Sequence, residues 1–178
     1  VGLNPGNAEE AEAAYYTQND NVDYSYFKTV DYWKENLKDK HPYYLRLKSF
    51  IALLRVEGPI LWTELVKCES CKSKGIKETL NIKHHTQTFR NCSSLYLSKE
   101  LEVINKDWPL IGVGFLSYET LAFLYPSRTV IGVPHPTGAY GHFFKLMKKV
   151  RDDQGFQSRW PTLNSGTAIW LTENSFSE

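Results

Sequence analysis

The chain predicts an α/β domain of three layers, with helices on both faces of a central, mostly parallel sheet. Two short and nearly all-apolar runs, Pro109-Leu110-Ile111-Gly112-Val113-Gly114-Phe115 and Thr129-Val130-Ile131-Gly132-Val133, have the composition of strands buried on both faces. Segments of helical period lie between the apolar runs, and that alternation is the pattern of a parallel sheet. A third observation gives the sheet a functional rim. Val1-Gly2-Leu3-Asn4-Pro5-Gly6 and Val133-Pro134-His135-Pro136-Thr137-Gly138 both read as strand ends breaking into rigid Pro/Gly loops, each presenting one polar side chain. In such sheets ligands bind beyond the carboxyl ends of the strands, so Asn4 and His135 can meet at one site.

The elements follow in order. If Val1-Gly2-Leu3 is the tail of a strand, most of that strand precedes the sequence as given. Residues 7–14 hold good helix formers with acids in the opening turn, which complement the helix dipole. Residues 24–38 and 42–55 read as two further helices; the second has Leu45, Phe50, Leu53 and Leu54 near helical spacing and Pro42 near its start. After the Gly58-Pro59 break, residues 59–66 are a strand candidate. A polar stretch rich in Lys, Ser and Cys occupies 67–91, and a helical period resumes over 94–104 through Leu95, Leu97, Leu101 and Ile104. The strand at 109–115 leads to a helix over 117–124 with Ser117 as its cap. The strand at 129–133 leads to a helix over 142–152 ending in Lys148, Lys149 and Arg151, and residues 167–172 suit a last, edge strand.

Composition bounds the function. With 178 residues, 42% of them hydrophobic, the chain can bury a substantial core as one domain spanning 1–178, with 67–92 as a Cys/His-containing loop insertion. Lys and Arg total 21 against 20 Asp and Glu, so any surface for a polyanion must be local. Three cysteines and no apolar run of membrane length suit a reducing cytoplasmic or nuclear compartment and no membrane partner; a monomer is the expectation.

These motifs carry a family resemblance. Gly2-Leu3-Asn4-Pro5-Gly6 resembles motif A of the uracil-DNA glycosylase superfamily in its Asn-containing form, and His135-Pro136-Thr137-Gly138 resembles motif B. Between them, Thr63-Glu64-Leu65-Val66-Lys67-Cys68, then Cys92 and Tyr96-Leu97-Ser98-Lys99-Glu100-Leu101, are similar in order to the iron–sulfur branch. The likeness runs from residue 1 to about 147.

The resemblance implies a glycosylase-like fold and hydrolysis of the bond joining a damaged base, uracil or a related deaminated base, to deoxyribose after the nucleotide is flipped out. By its match to motif A, Asn4 orients the attacking water, since an amide is a poor general base. By its match to motif B, His135 donates a hydrogen bond to the departing base, a form of oxyanion stabilisation. Gly2, Leu3, Pro5, Gly6 and Glu64 line the base, and Tyr16 stacks on it, with Tyr24, Tyr26 and Phe27 as alternatives. Pro136, Thr137, Gly138, Tyr140 and Lys145 fall where the family contacts DNA. No cofactor is required for this catalysis. Glu64 departs from the family, which commonly has Asn there. An ionised Glu accepts but does not donate, so another base, or weak activity, is implied; a protonated Glu64 would partly restore the donor pattern.

The cysteines admit two readings. Cys68, Cys71, His84 (beside His85) and Cys92 have the ligand types of a Cys3His structural zinc site, whereas a four-iron cluster wants four thiolates and only three cysteines exist. Unliganded thiols are the alternative. Two other functions also stay open, a catalytically weak nucleic-acid or nucleotide-binding member of the fold and a metal-stabilised interaction domain.

Overall fold

The computed structural model of the protein describes residues 1–2, 31, 33–37, 39–55, 58–65, 87, 89–138, 141–153 and 166–175. Three strands form a parallel sheet in the order β1 (Leu110–Val113), β2 (Val130–Val133) and β3 (Ala168–Trp170). Gly112 pairs with Gly132, and Gly132 with Trp170.

Backbone hydrogen bonds carry the same parallel pattern past β1. The Val1 amino group donates to Ile111 O at 2.6 Å, and Val113 N donates to Val1 O at 2.9 Å. On its other side Gly2 N donates to Thr63 O, and Leu65 N donates to Gly2 O, which makes an isolated parallel bridge between Gly2 and Glu64. Glu64, Gly2, Val113 and Val133 therefore stand at one level across the sheet.

Alternation along the strands sorts the core into two layers. Ile111, Val113, Ile131 and Val133 face a cluster with Leu47, Phe50 and Leu54 of helix α1 (Pro42–Leu53) and its C-cap, and with Phe143, Leu146 and Val150 of a later helix. Leu110 and Val130 face the opposite cluster, with Leu97, Leu101 and Leu121. Helices thus cover both faces, and the α/β class expected from sequence is observed. Each fully buried Phe or Leu contributes roughly 1.5–3 kcal/mol by leaving water.

His41 caps α1: its Nδ1 accepts from Tyr43 N at 3.3 Å, and Pro42 takes the first helical position, where no N–H is needed. A π-helical segment, Cys92–Leu97, passes directly into α2 (Ser98–Glu102). Helix α3 spans Phe115–Leu124 and α4 spans His142–Asp152, with Phe143, Leu146 and Val150 on its buried stripe.

Several expectations are corrected. Helix α3 begins at Phe115, two residues before Ser117; Gly114, at φ +87°, makes the turn out of β1, and Ser117 lies buried inside the helix instead of capping it. Of the strand expected over 59–66, the described part pairs only through 63–65, because that pairing depends on Gly2. Within 24–38 the described helical segment is the π-helical Trp33–Leu37; residues 7–14 and 67–86 lie outside the described residues. Gly112 and Gly132 serve close packing. A Cβ on Gly112 would stand 2.7 Å from the backbone N and Cα of Tyr118, and one on Gly132 would meet the Trp170 and Tyr118 rings, so α3 lies directly on the sheet. Among the described residues no helix is long and apolar enough to cross a membrane.

Candidate active site

The carboxyl rim of the sheet gathers three chemically capable side chains. Glu64 comes from the segment beside Gly2, His135 from the loop after β2, and Tyr43 from the first turn of α1. Tyr43 lies against His135. Its ring lies 5.3 Å from the His135 ring, centroid to centroid and tilted by 45°. Its phenol is held well above the ordinary 10.0, first by burial, then by the negative charge of Glu64, then by Tyr44. The hydroxyl consequently stays protonated at any ordinary pH.

Gly2 makes room for Glu64. An added Cβ there would stand 2.0 Å from Glu64 Oε2 and 2.7 Å from Oε1, so the carboxyl group lies directly over the glycine. Glu64 is half-buried, with Oε2 out of reach of solvent. Its neighbour Thr63 points the other way and donates through its hydroxyl to Glu100 Oε2.

His135 is held in one tautomer. The Thr137 backbone N–H donates to His135 Nδ1 at 3.3 Å, and the Thr137 hydroxyl lies 3.1 Å from the same nitrogen. Because Nδ1 accepts the backbone N–H, the proton of the neutral ring sits on Nε2, which becomes a donor. Although one edge of the ring is open to solvent, desolvation by the surrounding protein lowers the imidazole below its ordinary 6.5. The ring is therefore neutral near pH 7.

The loop itself is braced from α1. Arg46 Nη1 donates to the carbonyl of the buried Pro136 at 2.8 Å, and the Arg46 guanidinium lies over the Phe144 ring, 4.7 Å from its centroid. A bond from Gly138 N to His135 O at 3.0 Å closes the turn. Tyr44 and Trp62 continue the aromatic wall, with their rings 5.3 Å apart and edge to face.

Of the residues singled out from sequence, Gly2, Glu64, His135, Pro136, Thr137 and Gly138 are described at this rim. Lys145, the expected phosphate contact, has Nζ 3.8 Å from Glu173 Oε1, and His142 shares that carboxylate at 3.9 Å. Cys92 is a buried free thiol at the start of the π-helical segment. Leu3, Asn4, Pro5, Gly6, Tyr16, Tyr140, Cys68, Cys71 and His84 lie outside the described residues, and among the described ones no group of three potential metal ligands occurs.

Tyr43 and Arg46 were missed in the sequence. The signal for Tyr43 was present, since His41-Pro42 marks a helix start and places the next residues in its first turn. Arg46 had none, because its partner is a backbone carbonyl ninety residues away.

A separate cavity of about 220 Å³ lies near the amino end of β1, walled by residues such as Leu47, Phe50, Trp62, Leu101, Trp108 and Leu110. Its described walls are apolar apart from Thr63, with few of the convergent polar groups that chemistry needs. The rim can do more: it offers a neutral donor at His135 with the Tyr43 ring against it, and the Glu64 carboxyl group stands at the same end of the sheet. No protein-family model, no curated protein and no solved structure matches the chain.

Proposed function

We propose that the protein is a DNA glycosylase acting on a damaged base flipped into the carboxyl rim of its sheet. The observation that carries this reading is the Tyr43 ring set against His135 in its Nε2–H form, at the same end of the parallel sheet as Glu64. The reaction adds water across the glycosidic bond. Oxygen bonds to C1′, the bonding electron pair leaves with the base nitrogen, and a proton from the water ends on the released base.

His135 supplies the donor for charge growing on the leaving base. A preorganised donor of this kind is worth about 3–4 kcal/mol in other enzymes. Because the ring is already neutral, donation costs no change of protonation near pH 7. Asn4, following Gly2 in the segment that resembles motif A, is assigned to hold the water. Tyr43 offers its ring as a wall for the base, and Arg46 keeps the His135 loop in place. No step calls on a metal or cofactor.

The test uses single- and double-stranded oligonucleotides carrying uracil, hypoxanthine, xanthine, 8-oxoguanine or 7-methylguanine, followed by alkali cleavage of abasic sites. Cleavage at one or more of these, lost in Asn4→Ala and His135→Ala, is the expected result. No cleavage with any of them, or cleavage indifferent to both substitutions, defeats the proposal. Retained DNA binding with no cleavage would instead support the reading of a catalytically silent nucleic-acid-binding protein.

A further inference from the structure

The apolar cavity beside β1 has the outline of a strand. Val1 and Gly2 lie between two edges: the Val1 amino group donates to Ile111 O and Val113 N to Val1 O on one side, while Gly2 N donates to Thr63 O and Leu65 N to Gly2 O on the other. The edges therefore stand two strand spacings apart, about 9.6 Å. Toward the amino end of β1 the same edges continue as residues 109–111 and 60–62, and the space between them is the cavity of about 220 Å³. Phe50 and Ile51 of α1 close one face; Leu101 and Ile104 close the opposite one. Leu110 N donates to Thr129 O and Gly114 N to Val133 O, so alternation turns the Ile111 N–H and the Pro109 carbonyl away from β2, toward the cavity. Three large apolar side chains that border this space are left open to water, Ile60 at 45%, Leu61 at 44% and Trp108 at 41%.

We propose that this cavity is a strand-binding slot, which takes an extended apolar segment running into Val1, parallel to β1 on one side and alongside residues 60–63 on the other. Both faces of the slot are apolar, so the segment that fits it is apolar at every position, like β1 and β2 themselves. Its backbone is as necessary as its side chains. The residue two places before Val1 donates its N–H to Pro109 O and accepts from Ile111 N through its carbonyl, repeating the pair that Val1 makes with Ile111 and Val113. An apolar molecule without a peptide backbone would fill the space and leave those two groups unmet. The consequence reaches the rim, because the segment fixes Gly2, and Gly2 is what holds the Glu64 backbone in the sheet. None of this depends on the rim being catalytic.

Four chains test it: the 178-residue protein, and the same protein with Ile-Val-Val, Ile-Pro-Val or Ser-Asp-Ser joined ahead of Val1. The proline stands at the place whose N–H meets Pro109 O, so that extension stays apolar but cannot make the bond. Urea midpoints, the emission wavelength of the tryptophans and hydrogen exchange of the Ile111 amide are measured on each. Ile-Val-Val should raise the midpoint, shift the emission to shorter wavelength as Trp62 and Trp108 are covered, and slow Ile111 exchange about tenfold or more; the other two extensions should leave Ile111 exchange as it is without an extension. A chain that folds only with Ile-Val-Val supports the slot as well. Ile111 exchange unchanged by Ile-Val-Val overturns the inference. So does an equal effect of Ile-Pro-Val, which would make the cavity a space for apolar mass alone, or an equal effect of Ser-Asp-Ser.

Discussion

The same chemical change at two glycines should have opposite consequences, and the difference follows from what each glycine touches. Neither Gly2 nor Gly112 has a positive φ, so alanine meets no backbone strain at either. At Gly112 the new Cβ stands 2.7 Å from the N and Cα of Tyr118, atoms within α3. Ordinary contact begins near 3.4 Å, so the helix must lift by several tenths of an ångström along its contact with β1 and β2. Overpacking of a close-packed core costs roughly 1–3 kcal/mol, and a rigid backbone neighbour favours the upper half of that range. At Gly2 the clash is nominally worse, 2.0 Å, but the atom met is Glu64 Oε2, the end of a side chain that can rotate. An off-rotamer Glu64 costs about 0.5–1.5 kcal/mol. Removing a glycine from extended chain returns about 0.5–1 kcal/mol, so the fold stays nearly as stable. The Glu64 carboxyl group is nevertheless displaced from the rim. Urea titrations of the wild type, Gly2→Ala and Gly112→Ala should place the Gly112 variant well below the other two, while the Gly2 variant keeps its midpoint. A Gly112 variant as stable as the wild type, or a Gly2 variant that unfolds, would refute the reasoning.

Three further outcomes are expected. Arg46→Ala removes the bond to Pro136 O and the stacking on Phe144; it should cost about 2 kcal/mol in denaturant unfolding and speed exchange of the Thr137 amide, with Arg46→Lys a poor rescue because it lacks the planar fork. His135, lowered by desolvation, should titrate below 6.5 in nitrogen-detected NMR and show the Nε2–H tautomer; above 6.5 its contribution to stability is fully present, and it is lost as pH falls through the lower folded value, where the unfolded chain binds the proton first. A midpoint above 6.5 contradicts the assignment. Tyr43, raised by burial and by Glu64, favours folding below 10.0 and ceases to do so as pH climbs further; ultraviolet titration should show a phenol that ionises only on unfolding and that is missing in Tyr43→Phe.

What could be read from sequence divides along a physical line. The strand Val130–Val133 and the helix His142–Asp152 were legible because their signals are local: an apolar run for one, and Phe143, Leu146 and Val150 on one stripe for the other. The start of α3 was misplaced because a serine looks like a cap, while the turn was made by Gly114 at φ +87°, which only a residue without a Cβ adopts easily. Residues 59–62 read as strand from apolar character alone, but the described pairing begins at Thr63, because it is made with Gly2, more than sixty positions earlier.

The site divides in the same way. Glu64 and His135 stand in short motifs whose residue types advertise chemistry, whereas Tyr43 and Arg46 sit in an ordinary helix and gain meaning only when α1 lies beside the loop after β2. Tyr43 shows why this matters for function. Its ring lies against His135, and its phenol is raised first by burial and then by the charge of Glu64. A donor and an acceptor named from separate motifs are only two hypotheses until a third group, placed by packing, ties them to one surface.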